Sequence, residues 1–186
     1  NVDGEIIVCD GGSSDRTCRR AEQYGADEIV CTAKPGRARQ WNAGAAQASG
    51  EVLALLHADS VVGPAWAGRI RGAIQEGVSG GWFQIEILPE NGTVTSANGL
   101  TVMAGGINIR TLVFRTATSD QSIFVRREVF DDLGGVPSRP VMEGYELASR
   151  LGETGTTAIL GSEVRISGRR WERSGLVRTM LVGFAV

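Results

Sequence analysis

His57 and Asp59 stand two residues apart at the end of a short apolar run, Val52-Leu53-Ala54-Leu55-Leu56, with Ser60 directly after them. A run of this length suits a buried strand and is too short for most helices. Alternate positions beyond a strand can face one side, so an imidazole and a carboxylate are presented together. Carboxylate oxygen holds Mg2+ or Mn2+ that bridges a diphosphate, and an imidazole ligates or hydrogen-bonds beside it. The plainer alternative is an aspartate that caps the next turn and a histidine satisfied by its neighbours. His57 is the only histidine of the chain, which excludes a multi-histidine metal site. A second run, Glu5-Ile6-Ile7-Val8-Cys9, also ends in polar groups, Asp10-Gly11-Gly12-Ser13-Ser14-Asp15. Backbone N–H groups and hydroxyls at such a strand-to-helix turn can hold a base, a ribose or a phosphate. Equally, the turn can be a polar loop that ends in a helix cap. It carries neither the GxGxxG nor the Walker A pattern.

These residues need elements to position them. Strand Glu5 to Cys9 is followed by a helix capped by Ser14 or Asp15 and running through Tyr24, with Cys18, Ala21 and Tyr24 as its apolar stripe. A short strand, Glu28 to Cys31, leads through Lys34-Pro35-Gly36 into an alanine-rich helix from Arg37 to Ala48. That helix carries Arg37, Arg39 and Asn42; the arginine forks suit phosphate oxygens, although solvated faces are the usual place of surface arginines. Trp41 on the same helix reads as core. Strand Val52 to Leu56 follows, then a helix entered at Pro64. This alternation implies right-handed crossovers and a largely parallel sheet. The second half is less regular. It reads as a strand over 82–88, a glycine-interrupted helix over 93–114, a strand over 122–125 and a helix over 127–133. A helix over 143–151, edge strands over 157–160 and 164–166, and helix from Arg169 onward complete it.

The composition bounds the answer. The 186 residues fit one domain with a sizeable core, and 42% hydrophobic with 22% charged residues is ordinary for a globular protein. A net charge of −2 lacks the basic face that nucleic-acid binding needs. Local basic pairs, Arg37/Arg39 and Arg169-Arg170, remain as phosphate or membrane-surface contacts. Cys9, Cys18 and Cys31 have no metal-ligand spacing and an odd count, and read as small buried hydrophobes of a reducing compartment. No signal peptide or membrane-spanning run is visible. The apolar end, Thr179 to Val186, is short and reads as packing. The chain opens without methionine and closes inside an apolar helical pattern, so the expectation is a domain lacking its first strand–helix unit and its C-terminal end. The expected location is the cytoplasm or the inner face of the membrane.

Several segments taken in order carry a family resemblance: VCDGGSSDRT, GRARQWNAGAAQASGEVLALLHADS, SDQSIFVRREVFDDLGG, PVMEGYELASRL and GRRW. Together the chain resembles the family 2 glycosyltransferases of the GT-A fold, and within them the small bacterial branch whose metal motif reads His-Ala-Asp instead of Asp-X-Asp. The resemblance implies an α/β domain with a mostly parallel central sheet and helices on both faces. It places Asp10, with Gly12 and Ser13, near the nucleotide base or ribose, and Arg39 and Asn42 near the donor. Asp59 becomes the ligand of a Mg2+ or Mn2+ ion on the sugar-nucleotide diphosphate, with His57 in the place of the motif's first aspartate. Asp120 and Gln121 fall near donor sugar and acceptor. Arg170 and Trp171 match the family's late Arg-Trp motif, near diphosphate or acceptor.

The chain departs from the family at one position. Where the family carries Glu-Asp at the start of a helix in the acceptor cleft, with the aspartate as general base, this chain reads Glu143-Gly144. Glycine cannot take a proton, and inverting transfer needs a carboxylate within reach of the acceptor hydroxyl. Glu143, Glu146 and Asp120 are the substitutes available, with Glu143 nearest in sequence; its plainer role is a favourable charge on a helix N-terminus. The implied function is inverting, cation-dependent transfer of a sugar from a nucleotide-diphosphate donor to a hydroxyl acceptor. The alternatives are a non-catalytic nucleotide-sugar-binding module and a sugar nucleotidyltransferase.

Overall fold

The computed structural model describes residues 4–90, 94–138, 142–169 and 172. Strand β1 (Ile7–Asp10), helix α1 (Thr17–Gln23) and strand β2 (Glu28–Cys31) form a small lobe in which β1 and β2 pair in parallel, with Asp10 opposite Cys31. The expected Ser14 or Asp15 cap of α1 is a correction: Arg16 holds the capping position without a side-chain bond, and Asp15, one residue earlier, accepts the Thr17 backbone N–H at 2.9 Å. The expected apolar stripe of α1 is a correction: no residue of the helix is buried, and Tyr24 is 87% exposed. The cysteines are likewise not uniformly buried, since Cys9 and Cys18 are half-buried and Cys31 is exposed.

Helix α2 (Arg37–Gln47) lies against β1. A Cβ at Gly44 would sit 2.4 Å from Cys9 Sγ, so the glycine sets how closely helix and strand approach. The carboxylate of Glu5 accepts the N–H groups of Ser49 and Gly50 just past the helix end. These bonds hold the Glu5 carboxyl below its ordinary range and tie the lobe to the turn before β3.

Strands β3 (Val52–Leu55), β4 (Ser60–Val62), β5 (Gly80–Leu88), β6 (Ile123–Arg126) and β7 (Thr157–Ser167) make a five-stranded sheet of order β3-β6-β5-β7-β4. This sheet is mixed, which corrects the mostly parallel expectation. β5 and β7 run parallel, whereas β6 is antiparallel to both β3 and β5, and β4 is antiparallel to β7. Apolar runs mark strands without marking direction, and strand β6 enters the sheet reversed between β3 and β5. The segments read as two edge strands, 157–160 and 164–166, are one interior strand. A register shift between Phe83 and Ile85 lets β7 continue past Gly161.

Alternation along the strands divides the core between two faces. Leu53, Leu55, Trp82, Ile123 and Val125 join Phe130 of α5 (Arg127–Asp132) and Leu147 and Leu151 of α6 (Glu143–Thr154) on one side. Phe83, Ile85, Phe124 and Val164 join Ile70 of α3 (Trp66–Gln75) and Leu100 and Met103 of α4 (Val94–Phe114) on the other. Helices therefore cover both faces, as expected. The outer side of α4 leaves Val102, Ile109, Val113 and Phe114 exposed. Among the described residues no helix is long and apolar enough to cross a membrane.

Candidate functional site

β3 and β4 lie at opposite ends of the strand order, yet only residues 56–59 join them. The linker crosses the rim of the sheet where β3 ends and β6 and β4 begin. Its turn is closed by the Ser60 N–H donating to the His57 carbonyl at 3.1 Å. Continuing the β3–β6 register beyond the Leu55–Ile123 pair brings His57 level with the 3-10 turn Ser119–Gln121. The imidazole meets the Trp41 ring edge-on at 5.6 Å and 71°. Its Nε2 is buried with no hydrogen-bond partner among the described residues, and so is Ser60 Oγ. His57 Nδ1 lies 3.8 Å from Asp59 Oδ1, too far for a hydrogen bond, and the Asp59 side chain is 54% exposed.

Helix α6 delivers the next group. Its first residue, Glu143, is 7% exposed, and Arg37 Nη1 donates to its Oε2 at 3.3 Å. Arg37 opens α2 and lies one turn before Trp41, so one helix face brings a guanidinium to Glu143 and an indole to His57. Burial pushes the His57 pKa down and the Arg37 charge adds to it; Asp120, Asp59 and Glu143 act in the opposite direction. The net shift is downward, which keeps the imidazole neutral at neutral pH. One guanidinium and three carboxylates thus act on a neutral ring, an excess of negative charge suited to a cation.

The glycine at position 144 has a structural cause. A Cβ there would lie 2.6 Å from both N and Cα of Ser119, so α6 begins in backbone contact with the 3-10 turn. Met142, at φ 68°, turns the chain into that contact. The turn in turn is locked by Gln121, which is fully buried. Gln121 Oε1 accepts the Thr118 N–H at 3.0 Å, and Nε2 donates to the Phe83 carbonyl at 3.0 Å and Thr111 Oγ1 at 2.9 Å.

The residues expected to bind thus separate into two kinds. His57, Asp59, Asp120 and Glu143 come together, joined by Arg37, which the sequence reading left among its phosphate-contact candidates. Its signal was the Arg37/Trp41 spacing on one helix face. Gln121, expected to meet an acceptor, is instead a buried strut with its amide committed. Asn42, expected near the donor, is a clamp: its Nδ2 donates to the Val136 carbonyl and its Oδ1 accepts the Val136 N–H, each at 2.8 Å. Arg39 donates to the carbonyls of Lys34 and Pro35, both at 3.1 Å, and so closes its own turn. Asp10 Oδ2 accepts the N–H groups of Gly12 and Ser13, each at 2.8 Å, with Gly12 at φ 93°. The Ser13 hydroxyl and N–H hold the Asp10 carboxyl below its usual range. This turn packs on α2, whose Gln40 donates to the Cys9 carbonyl at 2.8 Å. Arg170 and Trp171 lie outside the described residues.

The family model described as glycosyl transferase family 2 matches residues 3–134. The chain belongs to glycosyltransferase family 2. No curated protein sequence matches it. Among solved structures, S. aureus TarS superposes with a TM-score of 0.64 at 16% identity, covering 96% of this chain and 33% of TarS. Glucosyl-3-phosphoglycerate synthase from Mycobacterium tuberculosis, in complex with Mn2+, UDP and glucosyl-3-phosphoglycerate, gives 0.52 at 20% identity, covering 88% of this chain and 59% of that one. A mycobacterial protein gives 0.55 at 19% identity, covering 88% and 54%. At such identities the likeness establishes the fold, and the chain spans a third to three-fifths of these neighbours. Family 2 membership argues against the nucleotidyltransferase alternative.

Proposed function

We propose that this domain transfers a sugar from a nucleotide-diphosphate sugar to a hydroxyl acceptor, with inversion and with help from a divalent cation. The observation that carries the reading is the approach of Arg37, Asp120 and Glu143, from three other segments of a family 2 fold, to the linker that holds His57 and Asp59. The Asp10-Gly11-Gly12-Ser13 turn is the candidate for the base and ribose, with backbone N–H groups already ordered by Asp10.

Mg2+ or Mn2+ fits the residues present. Asp59 offers an exposed carboxylate, and His57 Nδ1 stands 3.8 Å from its Oδ1, close enough for both to border one ion. One carboxylate and an adjacent imidazole leave room for water and phosphate oxygens, which is how such ions usually bind diphosphates. The Mn2+ and UDP bound by glucosyl-3-phosphoglycerate synthase support the same assignment. When bound, the ion supplies Lewis-acid stabilisation of the departing diphosphate.

The chain's own residues do the rest. Glu143 accepts the proton of the acceptor hydroxyl as its oxygen bonds to the anomeric carbon and the bond to the diphosphate breaks. Arg37 holds the Glu143 carboxylate in place, and Asp120 is the second carboxylate facing the ring. Membership of the family with Gly144 in the base position also favours a second reading, a domain that binds the donor without transferring its sugar. Turnover separates the two: slow hydrolysis of the donor sugar excludes a purely binding role.

The metal assignment is tested by calorimetry of UDP-sugar binding in Mn2+ and in chelator. Asp59→Ala is expected to abolish the Mn2+-dependent part of the affinity. Undiminished Mn2+-dependent binding in that variant would remove Asp59 from the site.

A further inference from the structure

A second group of chemically active side chains lies in the small lobe, apart from the His57 cluster. Asp10 ends β1, Cys18 sits in the first turn of α1 and Cys31 ends β2. One carboxylate oxygen and the two sulfurs all lie within 4.8 Å of one another. Among the described residues this is the one group of three histidine, cysteine, aspartate or glutamate ligands so close. Its spacing in the chain matches no metal motif. The topology makes it: parallel pairing sets Asp10 opposite Cys31, and the α1 crossover lays Cys18 over both strand ends.

We propose that Asp10, Cys18 and Cys31 form a site for a borderline-soft divalent cation, Zn2+ above all. Two sulfurs and one oxygen select against Mg2+, Mn2+ and Ca2+, which prefer oxygen ligands, and suit zinc. Zinc bonds of about 2.3 Å to sulfur and about 2.0 Å to oxygen put tetrahedral ligands roughly 3.5–3.8 Å apart, so small side-chain movements close the set. The carboxylate is already oriented, because Oδ2 takes two backbone N–H groups. The exposed Cys31 side leaves the fourth position open to water.

The lobe also lacks a hydrophobic core of its own. None of residues 4–36 belongs to either buried hydrophobic cluster, and α1 buries no side chain. A cation bridging β1, α1 and β2 would cross-link three elements that the core does not reach, as small folds with little core often require.

The test uses the full chain, reduced with a phosphine and freed of metal, and titrated with Co2+ and then Zn2+. The expected result is a thiolate-to-cobalt charge-transfer band with tetrahedral visible bands at one equivalent, erased by Zn2+. Asp59→Ala should keep these bands, which separates this site from the proposed diphosphate cation and makes the result independent of any donor binding. Cys31→Ser, at an exposed position, and Asp10→Asn should each weaken Co2+ binding at least 10-fold. Circular dichroism of each variant must match the parent for the comparison to stand. Absence of a thiolate band in the reduced protein overturns the proposal, as does unchanged Co2+ affinity in Cys31→Ser. A Cys18–Cys31 disulfide that resists the phosphine and excludes cobalt overturns it too.

Discussion

The Asp10 turn and the His57 linker both follow a strand, and both place a carboxylate and hydroxyl there, yet their polar groups are spent differently. In the Asp10 turn the carboxylate takes the N–H groups of Gly12 and Ser13, and Gln40 takes the Cys9 carbonyl. In the linker His57 Nε2 and Ser60 Oγ are buried with no partner among the described residues, and Asp59 stands exposed. Folding satisfies buried polar groups wherever it can. The linker therefore keeps polar groups that the described fold does not use, whereas those of the Asp10 turn are committed. The comparison also sorts the motif residues of the chain: Asn42 and Gln121 have their amides committed within the protein, while His57 and Glu143 remain part of an open cluster.

The comparison can be strained first at Gly144. If the glycine is required by the contact with Ser119, then Gly144→Asp destabilises by about 3 kcal/mol, as overpacking against backbone does. That corresponds to a fall in Tm of about 6–12 °C, and the variant gains no transfer activity. A Tm equal to the parent's, with faster transfer, would mean the glycine is a lost base and not a packing residue.

Asn42→Ala is the next largest. It leaves the buried N–H and carbonyl of Val136 unpaired, at a cost of about 2 kcal/mol. The loss should show in denaturant unfolding, while affinity for UDP-sugars falls no more than the folded fraction does. A specific loss of donor affinity at unchanged stability would return Asn42 to the binding residues.

The smallest effect is on pH. Asp10, Asp15 and Glu5 all have carboxyls held low, by Ser13, by Thr17 and by the Ser49 and Gly50 N–H groups respectively. Their folded pKa values lie below the unfolded ones, so their stabilisation is complete above roughly pH 5 and is lost as pH falls through the depressed values. Hydrogen exchange should therefore accelerate in β1 and β2 at lower acid strength than in β5 and β7. Simultaneous loss of protection in both sheets would contradict this.

Part of this was legible in the chain. β2 is read at its true limits, Glu28–Cys31, because polar turns bound it on both sides. His57 and Asp59 stand out because an apolar run stops abruptly at them. Strand direction was not legible: β6 lies antiparallel because of where long connections deliver it, and no local residue records that. The sequence reads as two edge strands, 157–160 and 164–166, yet β7 runs through both, since the register shift is a property of the paired strands. The stripe on α1 followed helical spacing with no layer to cover it, so Tyr24 is exposed. Arg37 and the Asp10–Cys18–Cys31 group depend on contacts between distant segments, which residue spacing alone does not reveal.

The central claim is that the cluster around His57 performs transfer with Glu143 as base. Single-turnover kinetics of Glu143→Gln against the parent, with a radiolabelled nucleotide sugar and Mn2+, test it most directly. The account predicts a fall in transfer of about 10²–10⁴-fold, with donor affinity within about twofold of the parent. Transfer at the parental rate in Glu143→Gln would contradict it.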